Sequence, residues 1–192
     1  LIERLWIPAA QPRDKESIGQ EQLRELGEKW EGADEYERMD CPATIDGSVK
    51  TAVAAAKETI LVTTPEVSAS RDADRVIGLL EASELHRPKL IINRIDTNMV
   101  KHGDMMNKDD IVELLSVEVL GLVPADEHTI TAANRGIPVV YDKKAPSGSA
   151  FLRIAARVDG DEVPFMDLEP RLSIMDRVKG LVGLNGRAYS HA

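Results

Sequence analysis

Three apolar runs, separated by stretches with helical spacing, constrain the fold of this chain more than any other feature. We predict them as strands at Ile60–Thr64, Lys89–Ile95 and Val119–Val123. Strand and helix patterns that alternate in this way are typical of a parallel sheet with crossover helices. We therefore predict an α/β fold with three layers, in which helices cover both faces of a mostly parallel sheet.

Polar residues and prolines lie at the predicted strand ends, where ligands bind in such sheets. The predicted active edge runs through Asp40, Thr64, Asn93 and Pro124. Asp40 has two interpretations: it holds a metal-bound water beside a nucleotide phosphate, or it is a turn carboxylate that accepts backbone N–H groups. Spacing alone favours the turn. Asn93 likewise either reads a base or serves as a cap.

The helical patterns predict specific starts and buried faces. Thr64 is predicted to cap the helix that follows Ile60–Thr64, with Pro65 at its first position, and Asn107 to cap a later one. A short helix is predicted from about Asp126 to Gly136, and another spans 147–158. The side chains predicted to face inward are Ala73, Val76, Ile77 and Leu80 in the helix after Thr64, and Phe151, Ile154, Ala155 and Val158 in the helix over 147–158.

Charge and cysteine content narrow the class of protein. The formal net charge of -9 argues against binding nucleic acid, because that surface requires clustered Lys and Arg. The one cysteine, Cys41, rules out an internal disulfide and suits the cytoplasm. No apolar run approaches the ~20 residues of a membrane span.

The C-terminal residues differ in character from the rest. We predict a domain over 1–160, a linker with two prolines over 161–170, and an amphipathic helix and tail over 171–192. The apolar face of this helix consists of Ile174, Met175, Val178, Leu181 and Val182. A short basic amphipathic helix can lie in a membrane interface; the alternative is packing on the domain.

Eight segments of the chain, in order, match one known family. They are Ile7–Gln11, Arg13–Lys15, Asp40–Ala43, Val62–Arg75, Leu90–Arg94, Gly103–Met106, Asn134–Gly136 and Val163–Met166. Together they resemble the MinD family of septum-site proteins, within the ParA-like deviant-Walker ATPases. The blocks Thr63–Ser68 and Gly103–Met106 are specific to MinD-like members of that group.

The resemblance implies a P-loop NTPase-like fold and a bacterial ATPase of division-site placement. Its cofactors would be ATP and Mg2+. Such a protein is a homodimer that cycles on and off the anionic inner face of the cell membrane, recruits the inhibitor MinC and is stimulated by MinE. It is otherwise cytoplasmic and binds no nucleic acid.

The resemblance also implies roles for individual residues. Asp40 would be catalytic, holding Mg2+ through a water. The terminal helix would target the membrane, and the helix with Arg71, Asp72 and Asp74 would meet protein partners. The nucleotide-binding residues would be Pro42, Ala43 and Thr44 near the γ-phosphate, Asn93 and Arg94 near adenine, and Pro124 and Asp126 lining the base pocket.

Three departures from the family pattern limit this expectation. No Gly-Lys-Thr or Gly-Lys-Ser occurs in the sequence, so the phosphate loop of the family is not matched. Thr44 stands where the family has glycine, and the segment Glu35–Arg38 is polar where a buried strand favours Val or Ile. We therefore expect the C-terminal portion of such an ATPase, incomplete at its N-terminus. The alternative is a non-catalytic module that binds the membrane and partners.

Overall fold

The computed structural model describes residues 56–82 and 87–168, with a few single residues before them. These single residues are Glu25, Tyr36, Arg38, Asp40 and Val53. The segment with Pro42, Ala43 and Thr44 lies outside the described residues. So does the predicted terminal helix with Ile174, Met175, Val178, Leu181 and Val182.

Strands and helices alternate along the two described ranges. No helix within these ranges is long and apolar enough to cross a membrane. In chain order the elements are β1 Ile60–Thr63, α1 Val67–Ala82, β2 Lys89–Ile95, α2 Thr97–His102, α3 Lys108–Leu115, β3 Val119–Pro124, α4 Glu127–Asn134, a 3-10 turn Val139–Tyr141 and α5 Pro146–Val158.

The three strands form one parallel sheet in the order β1-β2-β3. Ile60 lies opposite Lys89, and the register continues in step to the end of β1. Between β2 and β3, Leu90 N donates to the carbonyl oxygen of Glu118 at 2.8 Å. The predicted parallel α/β fold and all three strands are thus confirmed.

The described residues form two compact units. The first contains the residues up to 92 together with 108–120, and the second contains 93–107 and 121–168. In the first, α1 packs against β1 and α3. The predicted inner face of α1 is confirmed, since Ala73, Ile77 and Leu80 are buried and Val76 packs against Leu80.

The predicted start of α1 is wrong. The helix begins at Val67, and Ser70 N donates to the carbonyl oxygen of Glu66 at 2.9 Å, so Thr64 does not cap it. Pro65 is fully buried and lies in a bend between strand and helix. The helix therefore starts two residues later than predicted, after the bend at Pro65. By contrast, α3 begins directly after Asn107, as predicted.

In the second unit, α5 packs against the 3-10 turn and α4. Ile154 is buried and Phe151 half-buried, as predicted, but Ala155 and Val158 are exposed. The periodic stripe fails in the last turns of α5 because residues 163–165 cover a different side of the helix there, as described below.

Two glycines permit close packing of α5. A Cβ at Gly121 in β3 would overlap the side chain of Ile154. A Cβ at Gly148 in α5 would lie 2.6 Å from the carbonyl oxygen of Val139, which belongs to the backbone of the 3-10 turn. Backbone has little room to retreat, so the start of α5 requires glycine at 148.

Gly148→Ala is expected to destabilise the chain by about 1–3 kcal/mol, because the new methyl group overpacks against backbone. The matched control is Gly78→Ala in α1, where a Cβ would meet nothing within 4 Å. That change should stabilise by about 0.5–1 kcal/mol through helix propensity. Urea unfolding followed by circular dichroism measures both, and a G148A variant as stable as wild type would contradict the close approach.

Candidate functional site

A cleft of about 360 Å³ lies within the second unit, beyond the carboxyl ends of β2 and β3. This is the edge at which the sequence predicts ligand binding. Its lining comes from the two strand ends, the start of α2, the start of α5 and the segment after α5. The lining residues are Ile95, Asp96, Thr97, Asn98, Pro124, Ala125, Pro146, Met166, Asp167 and Leu168.

The end of β2 is shaped by local hydrogen bonds. Arg94 has a left-handed backbone with φ 61°, and its N–H donates to Oδ1 of Asn93 at 2.9 Å. Asp96 then caps α2, with Oδ1 accepting from Asn98 N at 2.8 Å and Met99 N at 3.2 Å. An aspartate cap satisfies backbone donors at a helix start and fixes where the helix begins. The chain therefore turns from strand to helix at the wall of the cleft.

The end of β3 is tied to the end of β2. Ala125 N donates to the carbonyl oxygen of Ile95 at 2.9 Å, one step beyond Pro124. Pro124 has no N–H of its own, so the ladder closes through the next residue. This bond holds the two strand ends side by side at the cleft.

The carboxylate of Asp126 joins the starts of α4 and α5. Its Oδ1 accepts from His128 N at 2.9 Å, and its Oδ2 accepts from Ser147 N at 3.0 Å and Ser147 Oγ at 2.6 Å. Thr129 Oγ1 also donates to the buried Ser147 Oγ, at 2.9 Å. Burial acts to raise the pKa of Asp126, but the bonds from Ser147 and His128 outweigh it and hold the pKa below its ordinary value. The carboxylate is thus kept charged and fixed next to Pro146.

The charge of the cleft limits what it can bind. Among the described residues that line it, Asp96 and Asp167 are acidic and none is Lys or Arg. Phosphate groups are disfavoured beside carboxylates, whereas neutral rings with N–H or O–H donors are favoured. The cleft therefore suits the base and sugar of a nucleotide better than its phosphates.

The predicted nucleotide-binding residues lie in different places. Pro124 lines the cleft, whereas Asn93, Arg94 and Asp126 are not among its lining residues. Asp40 is exposed. Their predicted roles, and those of the residues outside the described part, remain predictions.

No group of three or more His, Cys, Asp or Glu in the described part of the chain could hold a metal ion. Mg2+ usually takes only one or two protein carboxylates, with water and phosphate oxygens completing its shell. A single carboxylate such as Asp40 is compatible with that arrangement.

Sequence reasoning missed several of the lining residues. Asp96 carried a usable signal, since an Asp directly after an apolar strand and before Thr97 is a helix-start pattern. Residues 166–168 gave no sequence signal that they line a cleft, because tertiary folding after α5 brings them there.

The predicted partner surface lies on α1, in the first unit. Arg71, Asp72 and Asp74 are all exposed. Arg75 pairs with Asp72 at 3.0 Å, with the two side chains 67% and 65% exposed. A pair so open to water adds little stability, so breaking it to contact a partner would cost little free energy.

The sequence is similar to curated septum site-determining MinD proteins. It is 42% identical to MinD of Synechocystis sp. over 175 residues, which cover 90% of this chain and 66% of that relative. It is 41% identical to MinD of Bacillus subtilis over 180 residues, covering 93% of this chain and 67% of that relative. The chain thus spans about two thirds of the length of these relatives. No family model matches it.

Solved structures of MinD proteins have a similar fold. The MinC:MinD cell division protein complex of Aquifex aeolicus matches with a TM-score of 0.73 and 37% identity, covering 79% of this chain and 63% of that chain. MinD of Pyrococcus horikoshii, complexed with Mg-ADP, matches with a TM-score of 0.63 and 26% identity, covering 73% and 56%.

An exposed ion pair beside the Asp126 network gives a pH-dependent prediction. His128 Nδ1 and Asp142 Oδ2 are 2.7 Å apart, and this hydrogen bond raises the pKa of His128 above 6.5. A histidine with a raised pKa stabilises the fold below its unfolded pKa, and that contribution is lost as pH rises through the folded value. Asp142→Asn should lower the His128 pKa toward 6.5.

NMR titration of the His128 ring protons measures this change. Asp104→Asn is the control, because it removes the same charge and Asp104 is not among the groups that raise this pKa. A His128 pKa equal in D142N and wild type would contradict the pairing.

Proposed function

The chain belongs to the MinD family of septum site-determining proteins, and from this premise we propose that it acts in placing the division site. We propose further that it binds an adenine nucleotide at the cleft beyond β2 and β3. The single observation that carries the nucleotide part is this cleft, which has a ligand-sized volume and lies at the carboxyl edge of a parallel sheet.

The base and ribose would occupy the cleft, with their phosphates outside it. Pro124, Ala125 and Pro146 supply an apolar surface that packs on a ring and excludes water. Asp126 keeps Pro146 in place through Ser147. The family-derived roles of Asn93 and Arg94 near the base belong to the same proposal.

The cofactors of the proposal are ATP and Mg2+. When bound, ATP would supply the β–γ phosphoanhydride bond, and its hydrolysis, which transfers the γ-phosphoryl group to water and leaves ADP, would drive a membrane cycle. Asp40 would hold a magnesium-bound water, and the segment with Pro42, Ala43 and Thr44 would lie near the γ-phosphate. The relative from Pyrococcus horikoshii, described as complexed with Mg-ADP, supports this nucleotide class.

Partners and membrane form the remaining part of the proposal. A MinC-like inhibitor is the proposed partner, and the Aquifex aeolicus complex of MinC and MinD supports this class of partner. The exposed charges Arg71, Asp72 and Asp74 would contact it, a role carried over from the family resemblance. A MinE-like activator, a homodimer and a peripheral membrane position are carried over from the family. Residues 171–184 would be the membrane-targeting helix.

A second candidate, kept open from the sequence, is a module that binds membrane and partners and does not hydrolyse ATP. Membrane binding that is the same with and without ATP would support this second candidate over an ATP-driven cycle.

Filling the cleft tests the nucleotide proposal. Ala125→Phe should weaken binding of adenosine and ADP at least about tenfold, a change of about 1.4 kcal/mol, because the ring occupies the space of the base. Adenosine is the sharper probe, since it has no phosphate. The matched control is Ala133→Phe, at an exposed position of α4 that does not line the cleft.

Chemical-shift titration of the 15N-labelled chain measures both the affinity and the place of binding. Shifts are expected at 95–98 and 166–168 in wild type and in A133F, and not in A125F. A wild-type chain whose cleft resonances do not respond to adenosine or ADP would overturn the nucleotide proposal.

A charge on the apolar face of the terminal helix tests the membrane proposal. Leu181→Glu should abolish co-sedimentation with anionic vesicles, because a charge on the buried face opposes insertion. Ser173→Glu adds the same charge outside the predicted apolar face and should bind nearly as wild type. Equal binding of L181E and S173E would remove the membrane helix from the proposal.

A further inference from the structure

After α5, the chain reverses and runs back along the same helix. Gly160 has φ 97°, and Asp161 N donates to the carbonyl oxygen of Ala156 at 2.9 Å, which closes the turn. We call residues 163–168, which follow this turn, the return segment. Its direction is set by two arginines of α5.

Arg157 and Arg153 hold the backbone of the return segment. Arg157 Nε donates to the carbonyl oxygen of Val163 at 2.8 Å, and Arg153 Nη1 donates to that of Pro164 at 2.9 Å. The two arginines are four residues apart, so they lie on one face of the helix. Val163 thus meets the last turn of α5, and Pro164 meets the turn before it.

A ring contact adds a third anchor. The Phe165 ring centroid lies 4.3 Å from Cζ of Arg157, the geometry of a cation–π contact. Burial lowers the pKa of Arg157, and the charge of Arg153 lowers it further, but a guanidinium stays protonated at neutral pH. Phe165 is 42% exposed and does not line the cleft.

The residues directly after these anchors form a wall of the cleft. Met166, Asp167 and Leu168 all line it, and so does Pro146, the first residue of α5. Helix α5 therefore supplies one wall with its first turn and anchors another through its last turns. The spacing between these walls depends on how firmly the return segment is held.

We propose that Arg157, assisted by Arg153, is a positioning residue that sets the shape of the base-binding cleft by anchoring the return segment. This inference rests on the proposed nucleotide-binding function of the cleft. Neither arginine touches the ligand: their effect reaches it through Met166, Asp167 and Leu168.

Two substitutions at Phe165 separate the ring contact from general packing. Phe165→Leu removes the π face, and Phe165→Tyr retains it. Adenosine affinity should fall about threefold in F165L, the size expected for a partly exposed cation–π contact, and should be unchanged in F165Y. The thermal midpoint should fall by no more than about 2 °C in F165L and stay unchanged in F165Y, because Phe165 is half-exposed and lies outside the core.

Hydrogen exchange of the amides of Val163 and of 165–168, measured without nucleotide, tests the anchor by itself. Exchange should be faster in F165L than in wild type or F165Y. In an Arg157→Gln background, F165L should add nothing further, because the cation is already gone.

The outcomes separate the two proposals. Arg157→Gln removes the bond to Val163 together with the ring contact, so unchanged exchange in both F165L and R157Q overturns the anchor. Faster exchange with unchanged adenosine affinity overturns its effect on the cleft. If the wild-type chain binds no adenosine, the proposed function fails, and with it the positioning role. The exchange of R157Q, compared with wild type, still decides whether Arg157 holds the return segment, and F165L compared with F165Y decides the part of the ring contact.

Discussion

The parallel pairing of β2 with β3 is the constraint on which the cleft depends. Leu90 bonds to Glu118 near one end of the pair, and Ala125 bonds to Ile95 at the other. A parallel ladder of this kind brings both carboxyl ends to the same edge. The next segments, α2 and α4, must then start beside one another, and the space between their starts is concave.

Polar side chains at this edge serve first as structural caps. Asp96 fixes the start of α2, and Asp126 fixes the start of α4 and reaches across to Ser147 in α5. A carboxylate that accepts three donors is stabilised in its charged form and held in one position. The helix starts beside the cleft are therefore fixed by hydrogen bonds that do not depend on any ligand.

Much of this architecture could be predicted from the sequence, because short-range patterns determine it. The bounds of β2 follow from an apolar run after a buried Pro88, and the start of α3 from Asn107. The prediction that Thr64 caps α1 was wrong because the helix begins only at Val67, after a bend at Pro65, and the burial of Pro65 depends on tertiary packing. The prediction that Ala155 and Val158 face inward was wrong because the segment that covers the end of α5 lies later in the chain.

The candidate site was harder to predict for the same reason. Pro124 lies in the cleft, but the Asn93 side chain bonds to its own backbone neighbour and Asp126 to a distant helix. Short polar side chains often choose such backbone partners, and sequence spacing does not reveal the choice.

The contact between Gly121 and Ile154 has a consequence for how related sequences can vary. A methyl group at 121 requires the space that the Ile154 side chain occupies, so either position can change only if the other compensates. An alanine at 121 should accompany a shorter residue at 154. The strand and the helix that frame the cleft thus share a single volume, and covariation of these two sites would be its evolutionary trace.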